Sequence, residues 1–392
     1  MRMPVWKNRP VLAITFAWIA CSTPVSADST PASLTPPITI YHDAARYNTF
    51  PDVKALPDGR LLCVFRDAVM PERVTHIEPD ARIVGSVSDD HGRTWSAPKV
   101  IYDDPQCQND PSVTVLRDGR LLLTFFTWEG LSEAEVDKGK SPLARRVDHG
   151  DWGVFAQLVG VHLLQGDAKT LSWHEPAKVR HLAGSPNTLR ATSSSILETD
   201  KGTLLLPIYG RTPAHMTDRA YVLRSDDGGR SWSDEQLIAA DPEKNIAMQE
   251  PALAQMPNGD IICLMRTAKA GDHLYTVHSS DDGKTWSEPV RTPLVGHPAD
   301  LQVLPDGKLL ATFGYRHKPF GVRACVSADG KTWNADDVVV ITAEGAHFDL
   351  GYPSVCLTAD DHVLIAYYIN AEDIRDRWIE CQRIPMSVFT SR

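Results

Sequence analysis

Six times along the chain an apolar run leads into a short turn containing Asp or Asn, mostly with Gly, and a second apolar run follows. The copies occupy residues 53–65, 112–126, 194–209, 252–265, 301–313 and 354–368. Asp-Gly or Asn-Gly between apolar runs predicts a β-hairpin, because both turn positions tolerate positive φ. The turns fall near residues 58, 118, 200, 258, 306 and 360, spaced widely enough for four short strands per copy, and few stretches have helical periodicity. The pattern therefore predicts an all-β, six-bladed β-propeller. Its ring closes when the N-terminal run at 38–41 pairs with the last blade near 378–384.

A second element interleaves with the first. Ser88-x-Asp90-x-Gly92-x-Thr94-Trp95 recurs at 225–232 and 279–286, and a shortened copy comprises Ser327, Asp329, Gly330, Thr332 and Trp333. Such a segment suits a turn in which Asp accepts backbone N–H bonds, Gly takes positive φ and Trp packs on its blade. It is identified as the Asp-box, or BNR repeat, which speaks for a propeller and says nothing of substrate. An extra loop at about 128–152, rich in charge, is expected to be functional.

Composition narrows the class. The 392 residues are 42% hydrophobic and 23% charged, which excludes disorder and a collagen-like chain. With 40 Lys and Arg against 50 Asp and Glu, the formal charge is −10. That disfavours nucleic acid or an anionic membrane as main partner. Only one long apolar run exists, so no membrane span is expected. It lies at 11–20 after Arg2, Lys7 and Arg9 and before Val25-Ser26-Ala27, the arrangement of a secretory signal peptide over residues 1–27. The protein is accordingly expected to be secreted or periplasmic, with a lipid anchor at Cys21 as the alternative. Six further cysteines, at 63, 107, 263, 325, 356 and 381, form no CxxC or Cys/His cluster. They read as buried free thiols, with no metal site and no cofactor expected.

The repeat aligns the blades with one another. Counting about eight residues back from each turn puts Asp52, Asp110, Arg190, Glu250, His297 and Tyr352 in an inner ring on one face. Counting forward puts Arg66, Arg266 and Arg316 just outside it. Several guanidiniums on one face suit a carboxylate-bearing ligand, here an acidic glycan or glycoconjugate.

These residues resemble the sialidase (neuraminidase) superfamily, in particular its bacterial secreted Asp-box members, over residues 38–384. The resemblance implies exo-acting, retaining hydrolysis of a terminal sialic acid or related acidic sugar. It implies that Tyr352, in Gly351-Tyr352-Pro353-Ser354, is the nucleophile and Glu250 its activating partner. Arg266 and Arg316 match two of the family's three carboxylate-binding arginines. The family's first arginine, from a Phe/Tyr-Arg-Ile-Pro motif, is missing where this chain has Phe50-Pro51-Asp52, leaving Arg66 or Arg190 to substitute. The acid/base is expected on the loop 67–82, which holds Glu72, His76, Glu78 and Asp80. His76, paired with Asp52, and Asp80 are the two candidates. A propeller polysaccharide lyase acting on uronates through a Tyr/His pair, or a carbohydrate-binding propeller without chemistry, are the alternatives.

Overall fold

In a computed structural model of the chain, each predicted hairpin forms around its turn. Ala55 pairs with Leu61, Val115 with Leu121, Glu198 with Leu204, Gln255 with Ile261, Val303 with Leu309 and Leu357 with Val363. Five of the turns place a glycine at φ between 83° and 89°, and the sixth places Asp361 at φ 57°. Asp is among the few non-glycine residues that visit this region readily. The structure describes residues 34–137, 142–174, 180–185 and 188–391. The expected signal peptide at 1–27 and Cys21 lie outside the described residues.

The hairpins extend into five sheets, antiparallel except at one strand pair, of a propeller-like, all-β fold. Ala247–Gln255 opens one four-stranded sheet and His297–Val303 another; Cys107–Val115 borders a five-stranded sheet, and Leu189–Ala191 borders a second. The remaining sheet has eight strands, so the six separate blades expected from the repeat count are not what the strand pairing gives. It contains two four-strand groups joined by a single parallel pair, Tyr47 with Arg377. That pair depends on where the two ends of the chain meet, which the hairpin pattern does not encode. The expected closure is present: Ile38–Tyr41 pairs with Arg377–Pro385, Ile38 facing Cys381.

First strands of successive units pack side by side around the axis: Arg46–Ala55 against Gly351–Leu357 and Cys107–Val115, and Ala247–Gln255 against His297–Val303. The apolar side chains of the hairpins fill the spaces between sheets, with Leu61, Leu121, Ile261, Leu309 and Val363 all fully buried. The six cysteines are buried and none is in a disulfide among the described residues. The Ser-x-Asp turns repeat one hydrogen-bond scheme. In each full copy Ser Oγ bonds the Asp carboxylate at 2.8 Å and accepts from the Gly N–H at 2.8–2.9 Å.

Candidate functional site

Five inner strands carry the dipeptide X-Pro at one register: Phe50-Pro51, Asp110-Pro111, Glu250-Pro251, His297-Pro298 and Tyr352-Pro353. Proline has no N–H to give the ladder, and each strand is irregular there. At four of them the residue before proline has positive φ: Phe50 55°, Asp110 45°, Glu250 49° and Tyr352 46°. Such backbone costs roughly 1–3 kcal/mol per residue and persists where the surrounding fold enforces it. Its effect is to present these four side chains together to one cleft of about 310 Å³.

Within the cleft the Tyr352 hydroxyl donates to Glu250 Oε1 at 2.6 Å. Arg266 Nη1 donates to both Glu250 oxygens at 3.0 Å and lies 3.4 Å from the Tyr352 hydroxyl. Burial, and then Glu250, push the Tyr352 phenol well above its ordinary value. The hydroxyl is therefore un-ionised at neutral pH, with a carboxylate in place to receive its proton. Phe50 packs edge-on against Tyr352, with centroids 4.7 Å apart. Arg316 sits 5.6 Å from the Tyr352 ring centroid and donates to Leu350 O.

A second cluster adjoins the first. Asp349 accepts from the Tyr368 hydroxyl at 2.9 Å, lies 3.5 Å from Arg316 and 3.0 Å from Arg377, and is 2.8 Å from His76 Nε2. Burial works against its charge, but His76 and the two arginines outweigh it, so its carboxyl is held well below the usual range. The other ring nitrogen of His76 is 3.0 Å from the Tyr47 hydroxyl, and its ring packs on Phe50.

Of the residues expected at the site, Tyr352, Glu250, Arg266, Arg316, Asp110 and His76 line this one cleft. The others go elsewhere. Arg66 is fully buried and paired with Glu78, so it cannot reach a ligand in the cleft. It stands at the same register as Arg266, facing Thr49 as Arg266 faces Gln249, but the bulge residue that follows is Phe50 where the other strand has Glu250. Arg190 is held by Glu235 through two bonds of 2.9 and 2.7 Å and lies over the Tyr221 ring. Asp80 is exposed and accepts from Val69 N at 2.8 Å, outside the cleft lining. Asp52, the first paired residue past the bulge, lies among the inner strands and outside the cleft lining. There it accepts from Val113 N and Ser354 Oγ at 2.6 Å and ties three strands together, so the expected Asp52–His76 pair does not form. His297 is paired with Asp272 at 3.2 Å, and burial pushes its imidazole down to about 4.

Residues not singled out from the sequence also line it, among them Asp349, Trp128, Arg145, Tyr209, Arg211 and Asp218. The repeated X-Pro dipeptide was the available signal for Phe50. Trp128 and Arg145 belong to the extra loop expected to be functional, of which residues 138–141 lie outside the described residues.

Asp110 gives a testable pH effect. Burial pushes its carboxyl up to about 8, Glu250 adding to the rise, while Ser193 donates to it at 2.5 Å. Between about pH 4 and 8 the folded chain then holds a proton that the unfolded chain releases, so this group makes stability fall as pH rises. Asp110→Asn should give a shallower decline of unfolding free energy between pH 5 and 7.5 in urea titrations. An equal or steeper decline contradicts the assignment.

With the geometry in hand, comparison with known proteins places the fold. The family model described as "BNR repeat-like domain" matches residues 147–365, more than half of the sequence. The chain belongs to the BNR repeat-like domain family. Among curated proteins none matches it in sequence. Solved structures share the fold of this BNR repeat-like protein. A protein of unknown function from Dyadobacter fermentans DSM 18053 superposes with a TM-score of 0.78 at 24% identity, covering 90% of this chain and 99% of that one. The Hadza microbial sialidase Hz136 gives 0.65 at 18%, covering 90% and 69%. An alpha-L-arabinanase from Penicillium chrysogenum, complexed with arabinobiose, gives 0.62 at 14%, covering 90% and 99%. At these identities the likeness speaks for the fold alone. Sialidases stand among the structures that share it, in keeping with the superfamily resemblance of the sequence.

Proposed function

We propose that this protein is an exported, exo-acting, retaining glycoside hydrolase that removes a terminal sialic acid or related acidic sugar. The observation that carries the reading is the 2.6 Å hydrogen bond from the Tyr352 hydroxyl to Glu250, with Arg266 on the same carboxylate and Arg316 beside the ring. In it, the eight-stranded sheet counts as two blades, giving six units of four or five strands around the axis. Residues 1–27 direct export.

In this mechanism Arg266 and Arg316 hold the sugar carboxylate beside the phenol. A neutral nucleophile avoids repulsion with that anion, and Glu250 removes its proton as the oxygen attacks the anomeric carbon. The bond to the departing oxygen breaks, and His76 supplies the proton that oxygen takes up. Water, deprotonated by His76, then cleaves the glycosyl–tyrosine bond, Glu250 returns the proton to Tyr352, and two inversions give retention. For His76 to donate, a bond to Tyr47 or Asp349 must be exchanged for the leaving oxygen. Such rearrangements on substrate binding are usual for catalytic groups.

A panel of fluorogenic acidic glycosides and uronate polymers tests the reading. Fluorescence released from an acidic glycoside supports it. A rising C=C absorbance from a uronate polymer, without fluorescence release, establishes a lyase instead. Binding without either product leaves a carbohydrate-binding propeller.

The carboxylate clamp has its own test. Arg316→Lys keeps the charge and loses the planar fork, so kcat/KM for the free acid should fall by the equivalent of roughly 2–4 kcal/mol. Parent enzyme that hydrolyses a methyl ester as well as the free acid has no such clamp.

A further inference from the structure

Two more guanidiniums line the cleft that the reading above does not use. Arg145, on the short strand Arg145–Arg146, and Arg211, near the end of Leu204–Thr212, line it together with Trp128 and Asp218. Arg145 lies over the Trp128 ring, 5.1 Å from its centroid, and has no ion pair with a carboxylate among the described residues. Arg211 has one carboxylate in reach, Asp218, at 3.9 Å. Gln249 donates to the other Asp218 oxygen at 2.6 Å, and among the described residues Asp218 Oδ1 and Arg211 Nε are both buried without a hydrogen-bond partner. Two fixed positive charges thus share one distant carboxylate. Arg266 and Arg316, in contrast, have carboxylate neighbours in Glu250 and Asp349.

The electrostatics agree with that count. The protein packed around the Arg145 guanidinium, and then Arg211, both pull its pKa below the ordinary value, the direction expected of uncompensated positive charge. Arg145 is nevertheless exposed as a residue, so a ligand in the cleft can reach it from solvent. The Trp128 face holds the guanidinium in the cleft, and among the described residues its N–H groups have no hydrogen-bond acceptor. An anion supplies what both arginines lack: oxygen acceptors and negative charge in a partly desolvated place.

We propose that Arg145 and Arg211 form a second anion subsite, which takes a carboxylate or sulfate ester on the substrate remote from the bond that is cleaved. The proposal rests on the cleft being a site for acidic glycans, and it narrows the substrate class to glycans carrying two acidic groups.

Calorimetry in the Tyr352→Phe background tests the subsite without turnover. The probes are sialyllactose with one carboxylate, disialyllactose with two, and 6-O-sulfated sialyllactosamine with one carboxylate and one sulfate. At least one dianionic probe should bind about tenfold tighter than sialyllactose, a gain typical of a charge-assisted pair at a partly buried site. That ratio should drop below about threefold in Arg145→Gln and in Arg211→Gln, each checked for folding by circular dichroism. Which dianion gains the advantage identifies carboxylate or sulfate as the group recognised. A ratio near one for both dianions, or a ratio unchanged in both variants, overturns the proposal. Turnover of a monoanionic methylumbelliferyl glycoside by the parent separates the two claims. With turnover and no dianion preference, the subsite fails and the hydrolase reading stands. With a preference that collapses in the variants and no turnover of any acidic glycoside, the subsite stands and the hydrolase reading falls.

Discussion

Tyr352→Phe should reduce kcat on an acidic aryl glycoside by on the order of 10⁴-fold or more, the scale of losing a covalent nucleophile. The change deletes one oxygen. The phenyl ring left in its place would keep the edge-on contact with Phe50, and Glu250 would keep Arg266 at 3.0 Å. Two hydrogen bonds of the hydroxyl are removed, the 2.6 Å bond to Glu250 and the longer 3.4 Å bond from Arg266, so stability should shift by about 1–2 kcal/mol. Binding of the acidic sugar should change far less than kcat, because the two arginines that hold the carboxylate are untouched. Near-parental kcat in a folded Tyr352→Phe enzyme excludes the phenol as nucleophile. A joint loss of binding and folding points to a structural role.

His76→Ala should leave activated aryl glycosides, whose leaving groups need little protonation, within about tenfold of the parent. On glycosides with poor leaving groups kcat should fall by about 10²–10⁴-fold. Asp349→Asn should reproduce that dependence more weakly, since Asp349 lies 2.8 Å from the imidazole and does not itself touch the departing oxygen. Asp80→Ala should leave the profile unchanged, because that carboxylate is exposed and bonded to Val69 N outside the cleft. Asp110→Asn is the informative comparison, its carboxyl being pushed up to about 8 and therefore mostly protonated at neutral pH. Strong leaving-group dependence in Asp110→Asn, with none in His76→Ala, moves the acid role to Asp110.

The two halves of the site differ in how far the sequence disclosed them. Tyr352 and Glu250 stand eight residues before their turns, so counting along the hairpin was enough to bring them to one face. The same count failed for Arg66 because register fixes where a strand residue lies and leaves open which neighbour claims a long side chain. Arg266 finds Glu250 at the bulge of its hairpin; the matching bulge residue beside Arg66 is Phe50, which offers no carboxylate, and Arg66 pairs with Glu78 instead. Asp52 was misplaced because it stands six, not eight, residues before its turn; Phe50 holds the eight-back position in the bulge, and Asp52 is the first paired residue beyond it. Asp349 and Arg211 fall outside the shared register of the inner strands, and nothing local marks them. The separate-sheet count failed at Tyr47–Arg377, a contact between the two ends of the chain that no hairpin signal can report.

The central claim is that a glycosyl–tyrosine bond forms at Tyr352. Incubation with an activated fluorinated acidic glycoside, which slows the second step and accumulates the covalent species, followed by peptide mass mapping, addresses it directly. The account predicts one sugar mass added to the peptide containing Gly351-Tyr352-Pro353-Ser354, and none in Tyr352→Phe. A label on another residue, or turnover of the probe with no covalent adduct at any time, would contradict it.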